Sequence, residues 1–353
     1  MWVRVLSCRI VGAIPVPIQT LYAELSECAH LARMADDFGP AGQFIQRTHQ
    51  DRTYWYYRSL DRNSVRKDRY VGRDTPELAA RIARFRDEKS DYKERRNIVA
   101  ALRRVGLRGP DPLTGRVLEA LAEAGVFRMR AVVVGTTAYQ TYPGLLGVRL
   151  PLTDATPNDP DLAQFQRVSV AVDDELDSPL LDILHRVDER FEPLPVPFAK
   201  GRASRFVLGN RYRVDILTPL QGPNDESLVA LPALKADAQP LRFLDFLIYQ
   251  EVQSVILWGA GVPVNVPSPE RFALHKLLVG RLRVETSDAQ AKARKDIRQA
   301  TELLRVLIEQ RPYELKDLWI ELTGRGDRWR TLVTEAITLL DPSLREALNR
   351  TIA

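Results

Sequence analysis

Asp159 and Asp161 stand two residues apart in the segment Asn158-Asp159-Pro160-Asp161-Leu162-Ala163. On an extended backbone, residues i and i+2 share a face, so one divalent ion would touch both carboxylates. A third carboxylate, Asp215, lies in Arg213-Val214-Asp215-Ile216-Leu217, an otherwise apolar, strand-like stretch. Burying an ionised carboxylate there is expensive without a cation, and a neighbouring strand would bring it to the same ion. Three aspartates suit Mg2+ (or Mn2+), which takes oxygen ligands and bridges carboxylates to phosphates. Against this stands the frequency of Asp-x-Asp by chance; the nearby cluster of Asp173, Asp174, Glu175 and Asp177 reads as a solvated acidic turn.

Upstream, Val132-Val133-Val134-Gly135-Thr136-Thr137-Ala138 reads as a strand, a glycine turn and a helix start. Backbone N–H groups at such a turn bind phosphate without a charged side chain, although Gly-Thr also serves merely as a cap. A phosphate-binding turn and three carboxylates that converge on divalent ions would together suit phosphoryl chemistry. With two ions bound, one lowers the pKa of an acceptor hydroxyl while the other stabilises the leaving pyrophosphate.

These residues need elements to hold them. Ile18 to Ala35 reads as an amphipathic helix ended by the breakers at 38–42. Thr53 to Leu60 and Val65 to Val71 flank the polar turn 61–64 as a β-hairpin. Thr75 as N-cap and Pro76 at the first helical position open a long helix to Arg104. After the boundary Gly109-Pro110-Asp111-Pro112 come a helix from Leu113 to Gly125 and a strand from Met129 to Val134. Further strands are expected at Val168 to Val172, Arg205 to Leu208 and Tyr212 to Leu217, with Gly209-Asn210 a tight turn between the last two. From Pro240 onward the pattern is mainly helical. The expected units are therefore 1–42, a leader and helix; 43–110, a hairpin and long helix; 111–236, the core holding the aspartates; and 237–353, a helical C-terminal domain.

Composition narrows the classes. A chain of 353 residues is long enough for two or three units, and it has no apolar run of the length needed to cross a bilayer. Arg9 interrupts the apolar start, so residues 1–17 read as a disordered leader or an early start codon rather than an export signal, and the expected location is cytoplasmic. Two cysteines and four scattered histidines offer neither a disulfide framework nor zinc spacing. A net charge of +5 agrees with a polyanionic partner and is also common in proteins with none.

The ordered set resembles the DNA-polymerase-β-like nucleotidyltransferase superfamily: an apolar strand ending in Gly-Ser, a strand with Asp-x-Asp, then an acidic residue on a later strand. Tyr54-Trp55-Tyr56, Tyr70-Val71-Gly72, Leu146-Gly147-Val148-Arg149, Arg213 to Pro219 and Val266 to Lys276 also resemble a bacterial subgroup with an aromatic, basic N-terminal region, distantly like antiphage and toxin nucleotidyltransferases. The resemblance implies an α+β fold, a mixed sheet with flanking helices, and transfer of a nucleotidyl group from an NTP to a hydroxyl. It makes Asp159, Asp161 and Asp215 the metal ligands and catalytic carboxylates, and Gly135 and Thr136 nucleotide contacts. The chain departs from the pattern at Thr136, which replaces serine, in the 24 residues from Gly135 to Asp159, and at Pro160, which cannot donate a ladder bond and confines its segment to an edge or irregular strand.

Ser268 reads as an N-cap, with Pro269 starting a helix that projects Arg271, His275 and Lys276 near one another. The resemblance assigns Lys276, with Arg271 beside it, to the nucleotide phosphates; the alternative is a solvated lysine on an apolar helix. Asp296, in a Lys/Arg-rich helix, would pair with Lys276 or Arg271.

Eight Lys/Arg and three Asp give Gln43–Arg73 an excess of +5, interleaved with Tyr54, Trp55, Tyr56, Tyr57 and Tyr70. Charge attracts phosphates and flat rings stack on unpaired bases, which makes RNA the expected large partner. Alternatively, one face of the hairpin packs as core and its arginines are solvated. The acceptor is then RNA such as tRNA, or a protein, with an antitoxin-like partner as in toxin relatives. Two further readings are a catalytically degenerate nucleic-acid-binding scaffold and a small-molecule, antibiotic-type nucleotidyltransferase.

Overall fold

A computed structural model describes residues 12–37, 43–49, 52–60, 66–84, 92–151, 159–172, 174–196, 201–222, 227–284 and 289–353. The start of the leader (1–11), the breakers at 38–42, the hairpin turn 61–64, the middle of the expected long helix (85–91), most of the segment before Asp159 (152–158) and Asp173 lie outside these residues.

The chain begins with helix α1 (Val16–Asp37) and strands β1 (Gln43–His49), β2 (Arg52–Leu60) and β3 (Arg66–Arg73), then helices α2 (Pro76–Arg84), α3 (Tyr92–Arg104) and α4 (Pro112–Glu123). Strand β4 (Val132–Val134) leads into α5 (Gly135–Tyr139), α6 (Tyr142–Leu146), β5 (Asp161–Ala163), α7 (Gln166–Ala171) and α8 (Leu180–His185). Then come β6 (Glu192–Pro193), β7 (Arg205–Leu208), β8 (Tyr212–Pro219), β9 (Val229–Leu231), β10 (Ala236–Leu241), α9 (Leu244–Leu247), β11 (Val252–Ile256) and β12 (Val262–Val266). Five helices follow: α10 (Pro269–Val284), α11 (Gln290–Gln310), α12 (Pro312–Gly324), α13 (Asp327–Ile337) and α14 (Pro342–Ile352). This is the expected α+β class, with helices flanking a mixed sheet. No helix among the described residues is long and apolar enough to cross a membrane.

The central sheet runs β4-β5-β8-β10-β9, with β7 pairing β8 as well as β6. Strand β5 is antiparallel to β4 and parallel to β8. Its core joins Val132, Leu162 and Ile216 to α4, to the β11–β12 hairpin and to α10–α14 in one hydrophobic cluster. A second cluster lies between α1, α3 and β11.

Several expectations change. Val168 to Val172, read as a strand, is mostly helix α7. The alternating valines suit β structure locally, but Val168 and Val172, four apart, pack on the core while Val170 stays exposed and Ser169 Oγ accepts the Ala233 N–H at 3.0 Å. Tertiary contacts override strand preference here. The strand expected from Met129 shrinks to Val132–Val134 because the preceding residues turn, with Arg130 at φ 65°. The region after Pro240 holds the β11–β12 hairpin before its helices; its turn uses Gly259 and Gly261 at positive φ. Strand β1, not expected, pairs with β2 and makes the N-terminal hairpin a three-stranded sheet. Of the expected long charged helix, the described residues form α2 and α3, and its middle lies outside them. Pro160 sits immediately before an interior strand, not an edge one, so its missing N–H falls outside the ladder.

The acidic cluster is solvated at Glu175 and Asp177, as expected, but not at Asp174. The Asp174 side chain is buried and accepts from Arg128 and from the Tyr70 N–H, while the exposed Asp177 takes Lys67 at 3.2 Å. Both pairs fasten β3 to the core.

Candidate active site

Register decides which aspartates meet. Asp161 is the first residue of β5, opposite Val134 on one side and Asp215 on the other. Residues directly opposite in adjacent strands project to the same face, roughly 5 Å apart, so the two carboxylates are neighbours. Gly135 follows Val134 with φ +67°, and a Cβ on it would lie 2.8 Å from Asp161 Oδ2. Glycine is required there both by the backbone and by the room Asp161 takes.

Continuing across the sheet, Arg205 of β7 is opposite Asp215 and donates to both its carboxylate oxygens at 2.5 and 2.9 Å. Asp159, just before β5, accepts from the Arg213 backbone N–H at 3.0 Å and from Arg213 Nε at 2.9 Å. Two of the three carboxylates are thus turned to arginines, and no group of three His, Cys, Asp or Glu side chains among the described residues stands close enough together to hold a metal ion.

Asp161 has no such partner. Burial pushes its carboxyl up to about 6, and the charge of Asp215 pushes the same way; Lys276 opposes them from α10. A partly buried carboxylate beside a second one is a place where positive charge is wanted. The donor set is all oxygen, as magnesium or manganese prefers, so Asp161 and Asp215 offer two of the ligands such an ion would take.

Helix α10 brings Lys276 to this face. Ser268 Oγ caps it by accepting the Arg271 N–H at 3.3 Å, and Phe272 packs against Tyr139 and Tyr142 of the two short helices after the glycine turn. Lys276 Nζ donates to buried Asp296 at 2.5 Å; Asp296 also takes Arg283. The structure does not turn Arg271 the same way. Its guanidinium is buried, donating to Glu321 at 2.6 and 3.1 Å and to Phe246 O at 3.1 Å, which joins α10 to α9 and α12. His275 is neutral: burial and then Lys276 pull its pKa down to about 3, and its Nδ1 is buried without a hydrogen-bond partner.

The sequence profile of a nucleotidyltransferase family matches residues 112–324, more than half of the chain. The chain belongs to this nucleotidyltransferase family. The matched stretch of the nucleotidyltransferase runs from α4 through α12 and so contains the glycine turn, all three aspartates and Lys276. No curated protein and no solved structure matches the chain.

Arg205 and Arg213 were not singled out by sequence reasoning as partners of the aspartates. The signal was present for Arg205: a turn at Gly209-Asn210 that pairs Leu208 with Tyr212 also pairs Arg205 with Asp215.

The N-terminal sheet offers less stacking surface than its composition promised. Tyr56, Tyr57 and Tyr70 are buried in core clusters, Tyr57 against Phe44 and Ile82, and Trp55 Nε1 donates to Asp74 at 2.7 Å. Arg47 and Arg58 both pair with Asp68.

Proposed function

We propose that this nucleotidyltransferase moves a nucleotidyl group from an NTP to a hydroxyl acceptor, with magnesium or manganese held by Asp161 and Asp215 and assisted by Asp159. The observation that carries this reading is the pairing of Asp161 with Asp215 beside Gly135. A divalent ion bound there would activate the acceptor hydroxyl and neutralise charge on the leaving pyrophosphate.

The chain's own residues then have defined tasks. Asp161 must be ionised, which its raised pKa opposes until positive charge arrives. Asp215 and Asp159 must exchange Arg205 and Arg213 for the ion, which leaves two guanidiniums free to hold phosphate oxygens in fork geometry. Lys276, fixed by Asp296, supplies a further positive charge. Gly135 and Thr136 keep backbone close to where the nucleotide would lie.

RNA, through exposed arginines of Gln43–Arg73, is the acceptor favoured by the local excess of charge; an antitoxin-like partner, a cytoplasmic setting and kinship with the toxin-like bacterial subgroup belong to the same proposal. Incubation with each labelled NTP, magnesium or manganese, and total RNA or protein tests it. Label on a macromolecule that disappears in Asp161→Asn supports transfer.

A second reading, a scaffold that binds nucleic acid without turnover, is favoured by the arginines that already neutralise Asp215 and Asp159. It predicts RNA binding with no label transferred to anything.

A further inference from the structure

A cleft of about 630 Å³ opens between β3, α2, the end of α4 and the β11–β12 hairpin, lined by none of the three aspartates, Gly135 or Lys276. Arg130 lines it and precedes β4, whereas Gly135 follows β4, so roughly 10 Å of strand separates it from the aspartate face.

Its walls are built and fixed. Arg81 is held by Glu27 at 2.7 and 3.1 Å and by Gln253 at 2.7 Å, and Arg130 by Glu251 at 2.6 and 2.8 Å. Arg128 bonds Tyr70 O at 2.9 Å and pairs with Asp174. Arg130 and Gln250, both lining the cleft, adopt φ of 65° and 56°. Left-handed backbone at non-glycine residues is unfavourable and gathers where side chains must be aimed.

Two groups there are left without a protein partner. The Tyr70 hydroxyl is buried and makes no hydrogen bond. Burial pushes its pKa well up, so it remains a neutral O–H able to donate. At the rim, exposed Arg73 has no ion-pair partner among the described residues. An unmade hydrogen bond at a buried hydroxyl is costly, so a ligand atom that reached it would be favoured.

We propose that this cleft is a second binding site that takes a nucleoside phosphate, either a free nucleotide or the terminal residue of an RNA strand. Arg73 and the fixed guanidiniums meet the phosphate. The apolar walls of Val71, Leu78 and Phe127 cover a flat base, and Tyr70 O–H with the amide of Gln250 reads its polar edge. A small anion would leave the apolar walls and the phenol unused. The site does not depend on transfer at the aspartates.

Titration of the full chain in excess EDTA with mononucleotides, a short single-stranded RNA and inorganic pyrophosphate tests it. A base-bearing ligand should bind more tightly than pyrophosphate. Tyr70→Phe, which keeps the packing, should weaken that binding about fivefold, and Arg73→Glu at least roughly tenfold. Asp161→Asn should leave it unchanged, which separates this site from the aspartate face. Competition between mononucleotide and RNA distinguishes the two sources. The proposal is overturned if no base-bearing ligand binds, if pyrophosphate binds equally well, or if binding is insensitive to both cleft substitutions.

Discussion

Arg205 and Asp215 face each other across the β7–β8 hairpin, with two N–H···O contacts of 2.5 and 2.9 Å that satisfy the third carboxylate of the proposed site. The arginine is 42% exposed, so the pair is worth roughly 0.2–1 kcal/mol. It is therefore a weak hold, one that the proposed divalent cation would have to displace.

Arg205→Ala should bind magnesium or manganese about threefold more tightly than the parent when no nucleotide is present, as read by calorimetry, with stability changed by under about 1 kcal/mol. Unchanged cation affinity would show that Asp215 takes no part in holding the ion.

Asp161 links the site to pH. An unfolded aspartate titrates near ~3.9, and the folded Asp161 is pushed up to about 6. Between those values the folded chain binds more protons, so the metal-free protein loses stability as pH rises through this window and stays less stable above it. Asp161→Asn should remove that loss, gaining about 1–2 kcal/mol at pH 7.5 after allowance for partial exposure and nothing below about pH 4. Urea unfolding at both pH values, with EDTA, checks the difference; equal gains at both would mean that the carboxyl is not raised.

Gly135→Ala should be severe for activity and moderate for folding. The added Cβ meets Asp161 Oδ2 at 2.8 Å on a backbone with φ +67°. A cost of about 1–3 kcal/mol is expected, with Asp161 displaced. A variant with parental stability and parental cation affinity would refute the close approach.

Lys276→Ala leaves Asp296 buried with Arg283 as its remaining cation, and should destabilise the fold by about 1–3 kcal/mol. Lys276→Arg, which preserves charge, separates folding from binding: it should restore stability more fully than it restores NTP affinity. Equal recovery of both would make Lys276 purely structural.

The sequence carried the site's order more readily than its geometry. Asp215 was legible because a lone aspartate among apolar strand residues needs an explanation. Gly135 was legible because a glycine after three valines ends a strand. The joining of Asp161 to Asp215 required a parallel register between strands more than 50 residues apart, which local pattern does not encode. Arg271 and Lys276 look alike on a helical wheel, yet one is buried against Glu321 and the other reaches Asp296, because different helices pack on the two sides of α10. Valine alternation at 168–172 misled for the same reason, since the core contacts that make it helical come from distant elements. The β11–β12 hairpin was readable in principle from Gly259 and Gly261 between strand-forming residues, but the helical spacing further on dominated the reading.

The central claim is that Asp161 and Asp215 together serve one nucleotidyl-transfer site. Its most direct test is transfer of label from α-labelled NTPs in magnesium or manganese, comparing the parent with Asp161→Asn and Asp215→Asn after each variant's folding is verified. The account predicts labelled acceptor or released pyrophosphate from the parent and a loss of at least roughly a hundredfold in both variants. Undiminished transfer by either folded variant would contradict it.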